Sequence, residues 1–151
     1  MTVRSYIILS DARDLKEFPN LNGTSALEFL RLDRASINYV PPSLCRFCPR
    51  LKSLDLKVNK LTTIPDLTFC RELRVLDLAH NKITELEGRP FKNLSLLHDL
   101  LLSHNSISNI PREAFIGLKR LQFLASLLGE VFHIIELDPQ LFASALVLKC
   151  S

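Results

Sequence analysis

A curved α/β solenoid, with a parallel β-sheet on its concave face and turns or short helices on its convex face, is the fold this sequence predicts. Three observations predict it. The segments LEFLRLDRASINYVP, LKSLDLKVNKLTTIP, LRVLDLAHNKITEL and LHDLLLSHNSISNIP follow one apolar pattern, L-x-x-L-x-L-x-x-N-x-L-x-x-I. Their first leucines, Leu27, Leu51, Leu73 and Leu97, with Leu121 next, are 24, 22, 24 and 24 residues apart, inside the range of about 20–29 residues that marks leucine-rich repeats. Within each segment the alternation seen at Leu76-Asp77-Leu78 is the period of a half-buried strand, so successive segments stack into a ladder with rungs about 4.8 Å apart.

Taken in order along the chain, YIILSDARDLKEFP is a weaker first coil. It places Ile8, Leu15 and Phe18 in apolar slots, with Ser10 and Arg13 where Leu and Asn are usual. Coils two to five begin at Leu27, Leu51, Leu73 and Leu97. In the fourth, Leu73, Leu76, Leu78 and Ile83 point inward while Phe91 and Leu94 return from the convex side; a single coil cannot close such a core, so neighbours bury it jointly. Asn59, Asn81 and Asn105 stand where the chain bends inward, and their amides can pair with backbone groups that would otherwise be buried without partners. The pattern fails near the end. A sixth repeat fits best from Leu124, with Leu127, Ile134, Leu137 and Phe142 in apolar slots, at the expense of a three-residue slip and of Phe132 in the Asn position. The expected division is therefore repeats over 1–123, about five of them, and an irregular sixth repeat or divergent tail over 124–151.

At 151 residues, 47% hydrophobic and 23% charged, the chain has the composition of one globular domain. Its net charge of +3 comes from 19 basic and 16 acidic side chains without long runs, so no electrostatic footprint for nucleic acid or an anionic membrane is visible. The apolar stretch Tyr6 to Leu9 is shorter than a secretory signal needs, and no segment is long and apolar enough to span a membrane. Neither end shows a polar cap, which suggests an internal piece of a longer solenoid. There is no glycine-rich phosphate loop, H-x-x-x-H pair or G-x-S-x-G, and Cys45-Arg-Phe-Cys48 stands alone. An enzyme is not expected, nor a cofactor, a metal or a small-molecule substrate.

The block DLKEFPNLNGTSALEFL…VPPSLCRFCPRLKSLDLKVNKLTTIPDLTFCRELRVLDL resembles the later ectodomain repeats of the leucine-rich-repeat-containing G-protein-coupled receptors, in the group holding the R-spondin receptors and the insect bursicon receptor. The likeness covers roughly residues 6 to 124. It rests on the EFP-x-L-x-GT-x-x-LE stretch from Glu17 to Glu28, the alternation of 22- and 24-residue repeats, and two cysteines 25 residues apart, Cys45 and Cys70. The resemblance implies a disulfide between Cys45 and Cys70. Read from the repeat alone, a bridge between adjacent coils and a plain core role for Cys45 in the slot of a Phe are both open. Cys48 fits a buried free thiol, and Cys150 has no assignment. The sequons Asn22-Gly-Thr24 and Asn93-Leu-Ser95 lie outside the strand segments, where a glycan has room.

The resemblance implies capture of a secreted hormone or growth factor at the extracellular face of the plasma membrane, in a parent receptor whose seven transmembrane helices this chain lacks. A solenoid offers its concave sheet to such a protein partner. Four outward columns are expected: Leu9, Arg31, Asp55, Asp77 and Leu101; Asp11, Asp33, Lys57, Ala79 and Ser103; Ala12, Arg34, Val58, His80 and His104; and Ile7, Phe29, Ser53, Val75 and Asp99. The candidate contact residues are Phe29, Arg31, Asp33, Arg34, Asp55, Lys57, Asp77, His80, Asp99, Leu101 and His104. Mixed charge in these columns suggests a partner of mixed charge. His80 and His104, one repeat apart, can stack; a metal there would lack ligands beyond Asp77 and Asp99. The competing reading is an intracellular or secreted scaffold or adaptor with the same fold and a different partner.

Overall fold

The computed structural model describes residues 5–108, 110–111, 113–125 and 147–148, with side chains described up to residue 122. Among these, seven strands form one parallel sheet in chain order: β1 Ser5–Ile8, β2 Leu27–Arg31, β3 Ser53–Asp55, β4 Val75–Asp77, β5 Asp99–Leu101, β6 Phe123–Ala125 and β7 Val147–Leu148. Parallel neighbours need a crossover, and here each crossover is the rest of one coil. Pairing runs Phe29 to Ser53 to Val75 to Asp99 to Phe123 to Val147, so the ladder keeps the repeat register through β6 and into β7. The expected apolar slots Leu127, Ile134, Leu137 and Phe142 lie outside the described residues, as do the Asn-slot residue Phe132 and Cys150.

The inward leucines behave as the spacing requires. Leu27, Leu54, Leu56, Leu73, Leu76, Leu78, Leu97 and Leu100 are fully covered. On the convex side Phe91 and Phe115, at the same offset before their strands, lie with ring centroids 6.1 Å apart and planes 10° from parallel. The one helix among the described residues, α1 Leu44–Phe47, is a single turn on the convex side of the second coil; elsewhere the return is made by turns. Gly117 marks a tight crossing there: its φ is +100°, and an added Cβ would collide with the Lys92 backbone of the previous coil.

The three asparagines tie coil to coil. Asn81 donates through Nδ2 to Leu78 O in its own coil (3.1 Å) and to Leu56 O in the preceding one (3.0 Å), and its Oδ1 accepts Leu61 N–H at 3.0 Å. Asn59 and Asn105 repeat the arrangement, on Leu32, Leu56 and Ile37 and on Leu78, Leu102 and Ile83. Side chains thus satisfy buried backbone groups that the short strands leave over.

Cys45 and Cys70 are joined, with Cα atoms 5.0 Å apart, and the bridge links the convex sides of coils two and three. Cys48 is free and buried, its Sγ 3.2 Å from Thr24 Oγ1, and burial pushes its thiol up from the usual range.

The first coil differs from the expectation by one residue. β1 pairs Tyr6 with Phe29, Ile7 with Leu30 and Ile8 with Arg31, after an irregularity between Ser5 and Tyr6. Ile7, not Ile8, packs against the core, and Ile8 is 61% exposed. Leu9 N–H bonds Arg31 O and Asp11 N–H bonds Asp33 O, as Leu32 and Arg34 bond Asp55 and Lys57. Leu9 and Ala12 therefore hold the Leu and Asn slots expected for Ser10 and Arg13. The physical reason is the period of two in a strand, by which a slip of one residue exchanges faces. In the run Tyr6-Ile7-Ile8-Leu9 apolar residues fill both phases, and only pairing with β2 selects one.

Candidate functional site

The outward residues of β1 to β5 and of the turn after each strand make one continuous face. The pairing puts Ile8, Arg31, Asp55, Asp77 and Leu101 in its central column, with Tyr6, Phe29, Ser53, Val75 and Asp99 beside it. The next two columns begin with Ser10 and Asp11 in place of the expected Asp11 and Ala12. Asp11, Arg34, Val58, His80 and His104 share φ between 54° and 59°, the left-handed conformation that lets the chain leave the strand and bend toward the Asn position.

Charges on this face are organised by rung. Arg31 Nε lies 2.7 Å from Asp33 Oδ1 and 3.6 Å from Asp55 Oδ2, and Lys57 Nζ lies 3.8 Å from that same Asp55 oxygen. Asp33 also accepts the Ser10 hydroxyl at 2.6 Å, and Arg34 approaches its other oxygen at 4.0 Å. The Arg31 guanidinium and the Ser10 hydroxyl hold the Asp33 carboxyl down at about 2, against its desolvation, and Asp33 in turn raises Arg31. Asp33 departs from the expectation of an outward contact residue. It is fully covered, because Arg31 and Ser10 close over it, and its role is to hold Arg31 across the sheet.

Asp77 is different. Its Oδ1 accepts only the Ala79 N–H, at 3.0 Å, and among the described residues no Lys or Arg forms an ion pair with it. Burial pushes its carboxyl up, Asp55 on the adjacent rung adds to the rise, and the Ala79 N–H, Lys57 and His80 oppose it. Next to it the His80 and His104 rings stack at 4.1 Å and 12°, as the repeat spacing implied. Asp99 lies 3.0 Å from His98 Nδ1, and Leu101 is half-buried. At the other end Phe29 stacks on Tyr6 at 4.8 Å and 18°. Tyr6, Ile7, Ile8, Phe29, Arg31 and Asp55 line a shallow depression of about 190 Å³. Tyr6 and Ile8 were not among the expected contact residues, since the register of the first coil hid them; the aromatic at position 6 was the available signal.

The face thus runs from an apolar, aromatic end at β1 and β2 to an acidic, imidazole-bearing end at β4 and β5. It is open, and among the described residues no group of three or more metal-ligating side chains converges. Asn22 is exposed in a turn and Asn93 is half-buried on the convex side, both off this face. Among the described residues no helix is long and apolar enough to cross a membrane.

Comparison with known proteins agrees with this geometry. Residues 71–125 match the family described as leucine rich repeat. The chain is 40% identical over 115 residues to leucine-rich repeat-containing G-protein coupled receptor 5 of Rattus norvegicus, covering 76% of this chain and 13% of the receptor. It is 44% identical over 59 residues to receptor 6 of the same series from Homo sapiens, covering 39% of this chain and 6% of the receptor. A leucine-rich repeat protein of Leptospira interrogans superposes with a TM-score of 0.72 at 29% identity, over 84% of this chain and 33% of that one. The chain spans only about an eighth of the length of the first of these receptors. The chain has the leucine-rich repeat solenoid fold, and it is similar in sequence to part of the leucine-rich repeat-containing G-protein coupled receptors.

Proposed function

We propose that the chain is a non-enzymatic, ligand-binding segment of a receptor ectodomain that captures a secreted hormone or growth factor on the face of its parallel sheet. The observation that carries this reading is the outward ladder of Arg31, Asp55 and Asp77, running from an aromatic shelf to a carboxylate with no cationic partner among the described residues. Such a face presents anchors of two kinds to one folded protein: Tyr6 and Phe29 supply large, rigid apolar area, the type of group that dominates binding energy, and the charged rungs fix register and exclude wrong partners. Tyr6, Phe29, Arg31, Arg34, Asp55, Lys57, Asp77, His80, Asp99, Leu101 and His104 are the contact residues of this proposal, and Asp33 acts through Arg31. Glycans at Asn22 and Asn93 would leave the face open.

The test uses the full chain, secreted from cultured cells, against immobilised R-spondin and bursicon. Binding to one of them is expected. Asp77→Lys is expected to weaken that binding about tenfold or more, which is about 1.4 kcal/mol, while Thr63→Lys in the convex loop leaves it unchanged. If neither protein binds, or if both substitutions act alike, the receptor reading fails and a scaffold with another partner takes its place.

A further inference from the structure

The repeat gathers a second set of charges that the linear sequence scatters. Each coil enters its strand through a two-residue turn at the same place: Ser25-Ala26, Pro49-Arg50, Arg71-Glu72, Ser95-Leu96 and Lys119-Arg120. One step further on, the backbone joins the coils in a row, with Lys52 N–H to Glu28 O at 2.8 Å, Arg74 N–H to Lys52 O at 2.8 Å, His98 N–H to Arg74 O at 2.9 Å and Gln122 N–H to His98 O at 2.9 Å. Turn and row together form one rim of the solenoid, adjoining the edge of the sheet face, where His98 meets Asp99. That rim carries Arg50, Lys52, Arg71, Arg74, Lys119 and Arg120 against Glu28 and Glu72, a surplus of four positive charges in a chain whose whole net charge is +3. Lys52 is paired with Glu28 at 2.8 Å. The other five cations are exposed and form no ion pair among the described residues.

We infer that this rim binds a sulfated polysaccharide of the cell surface. Arg50, Lys52, Arg71 and Arg74 sit on neighbouring rungs about 4.8 Å apart, closer than the Debye length of roughly 8 Å at physiological salt, and Lys119 and Arg120 follow two rungs on, about 9.6 Å away and close to that length. Their potentials therefore add, and a polyanion that displaces their counterions gains affinity with each contact. The strip carries one or two of these cations to a coil: Arg50, then Arg71 and Arg74 on the next coil, then Lys119 and Arg120 two coils further, a span of roughly 14 Å at rung spacing. A thin linear chain with fixed negative charges matches that arrangement. A nucleic acid strand would also want a series of aromatic platforms for its bases, and among the described rim positions the His98 imidazole is the single aromatic ring. A membrane surface would want a broad apolar anchor flanking the charges; the turns themselves are polar except for Ala26, Pro49 and Leu96, and the exposed Phe47, Phe69 and Ile116 before them come one to a coil. The choice of polysaccharide rests on the extracellular setting of the related receptors, and the assay requires no hormone, so the two proposals fail independently. The rim would concentrate the protein, or its ligand, at the cell coat while the sheet face stays available.

The experiment applies the full secreted chain to immobilised heparin and to heparin stripped of its sulfates. The wild-type chain is expected to stay on heparin above about 150 mM salt and to pass through the desulfated matrix. R71E/R74E is expected to weaken heparin binding about tenfold and to flatten its salt dependence. K60E/K82E makes the same change in net charge on the opposite rim, where both lysines are exposed, and is expected to leave binding within about twofold. If R71E/R74E loses its far-ultraviolet circular dichroism, R71Q/R74Q carries the comparison. Equal losses in the two pairs would overturn the inference, because net charge alone would then be read. So would failure of the wild-type chain to be retained, or tighter binding at equal salt to a single-stranded oligonucleotide or to phosphatidylserine vesicles.

Discussion

Val58 occupies the left-handed region at φ 57°, where a β-branched residue is strained, and at 39% exposure it has little packing to lose. Val58→Gly removes the strain while loosening the unfolded chain. A net gain of about 0.5–1 kcal/mol is expected in urea melts, and a lower midpoint would show that the neighbouring coils, rather than the backbone, set this corner. Asp33 makes a prediction in pH. Its carboxyl is held at about 2 in the fold, against about 3.9 for an unperturbed Asp, so the folded state binds its proton less readily than the unfolded one. The stability this confers is present above about pH 4 and is lost as pH falls through about 2. Urea melts between those values should show Asp33→Asn losing less stability on acidification than the wild-type chain; parallel curves would mean that Arg31 does not hold the carboxylate. The burial of Asp33 was not legible in the sequence, because its cover comes from Ser10, 23 residues away, and from an arginine that folds across the sheet.

At the scale of the coil, the Cys45 to Cys70 bridge binds the convex sides of the second and third coils. The joint variant Cys45→Ser with Cys70→Ser is expected to lose about 3.5 kcal/mol on the chain-entropy account of a loop this long, read as a lower urea midpoint. An unchanged midpoint would mean that stacking alone holds these coils. The slots of coils two to five were legible because each demands a leucine of fixed spacing, and a leucine out of phase would face water. The first coil was not, because Ile7 and Ile8 serve either phase equally well, and the choice fell to backbone pairing with β2.

For the whole molecule, stability in a solenoid is close to a sum of coils and nearest-neighbour interfaces. Asn81→Ala removes the side chain that satisfies Leu56 O, Leu78 O and Leu61 N–H, at an expected cost of about 3 kcal/mol. Hydrogen exchange should show protection lost most in coils three and four and fading toward the first coil. Uniform loss along the chain would instead mean that the coils unfold as one unit. The sequence by itself determined the repeat, the parallel ladder, the asparagine straps and the leucine spine, since each depends on spacing along the chain and on burial that only one residue type satisfies. The tertiary structure alone decided the register of the first coil, the closure of Arg31 and Ser10 over Asp33, and the gathering of scattered cations onto one rim. These depend on which residues become neighbours across a 22- or 24-residue step: charge and exposure act through distance in space, and composition along the chain does not record it.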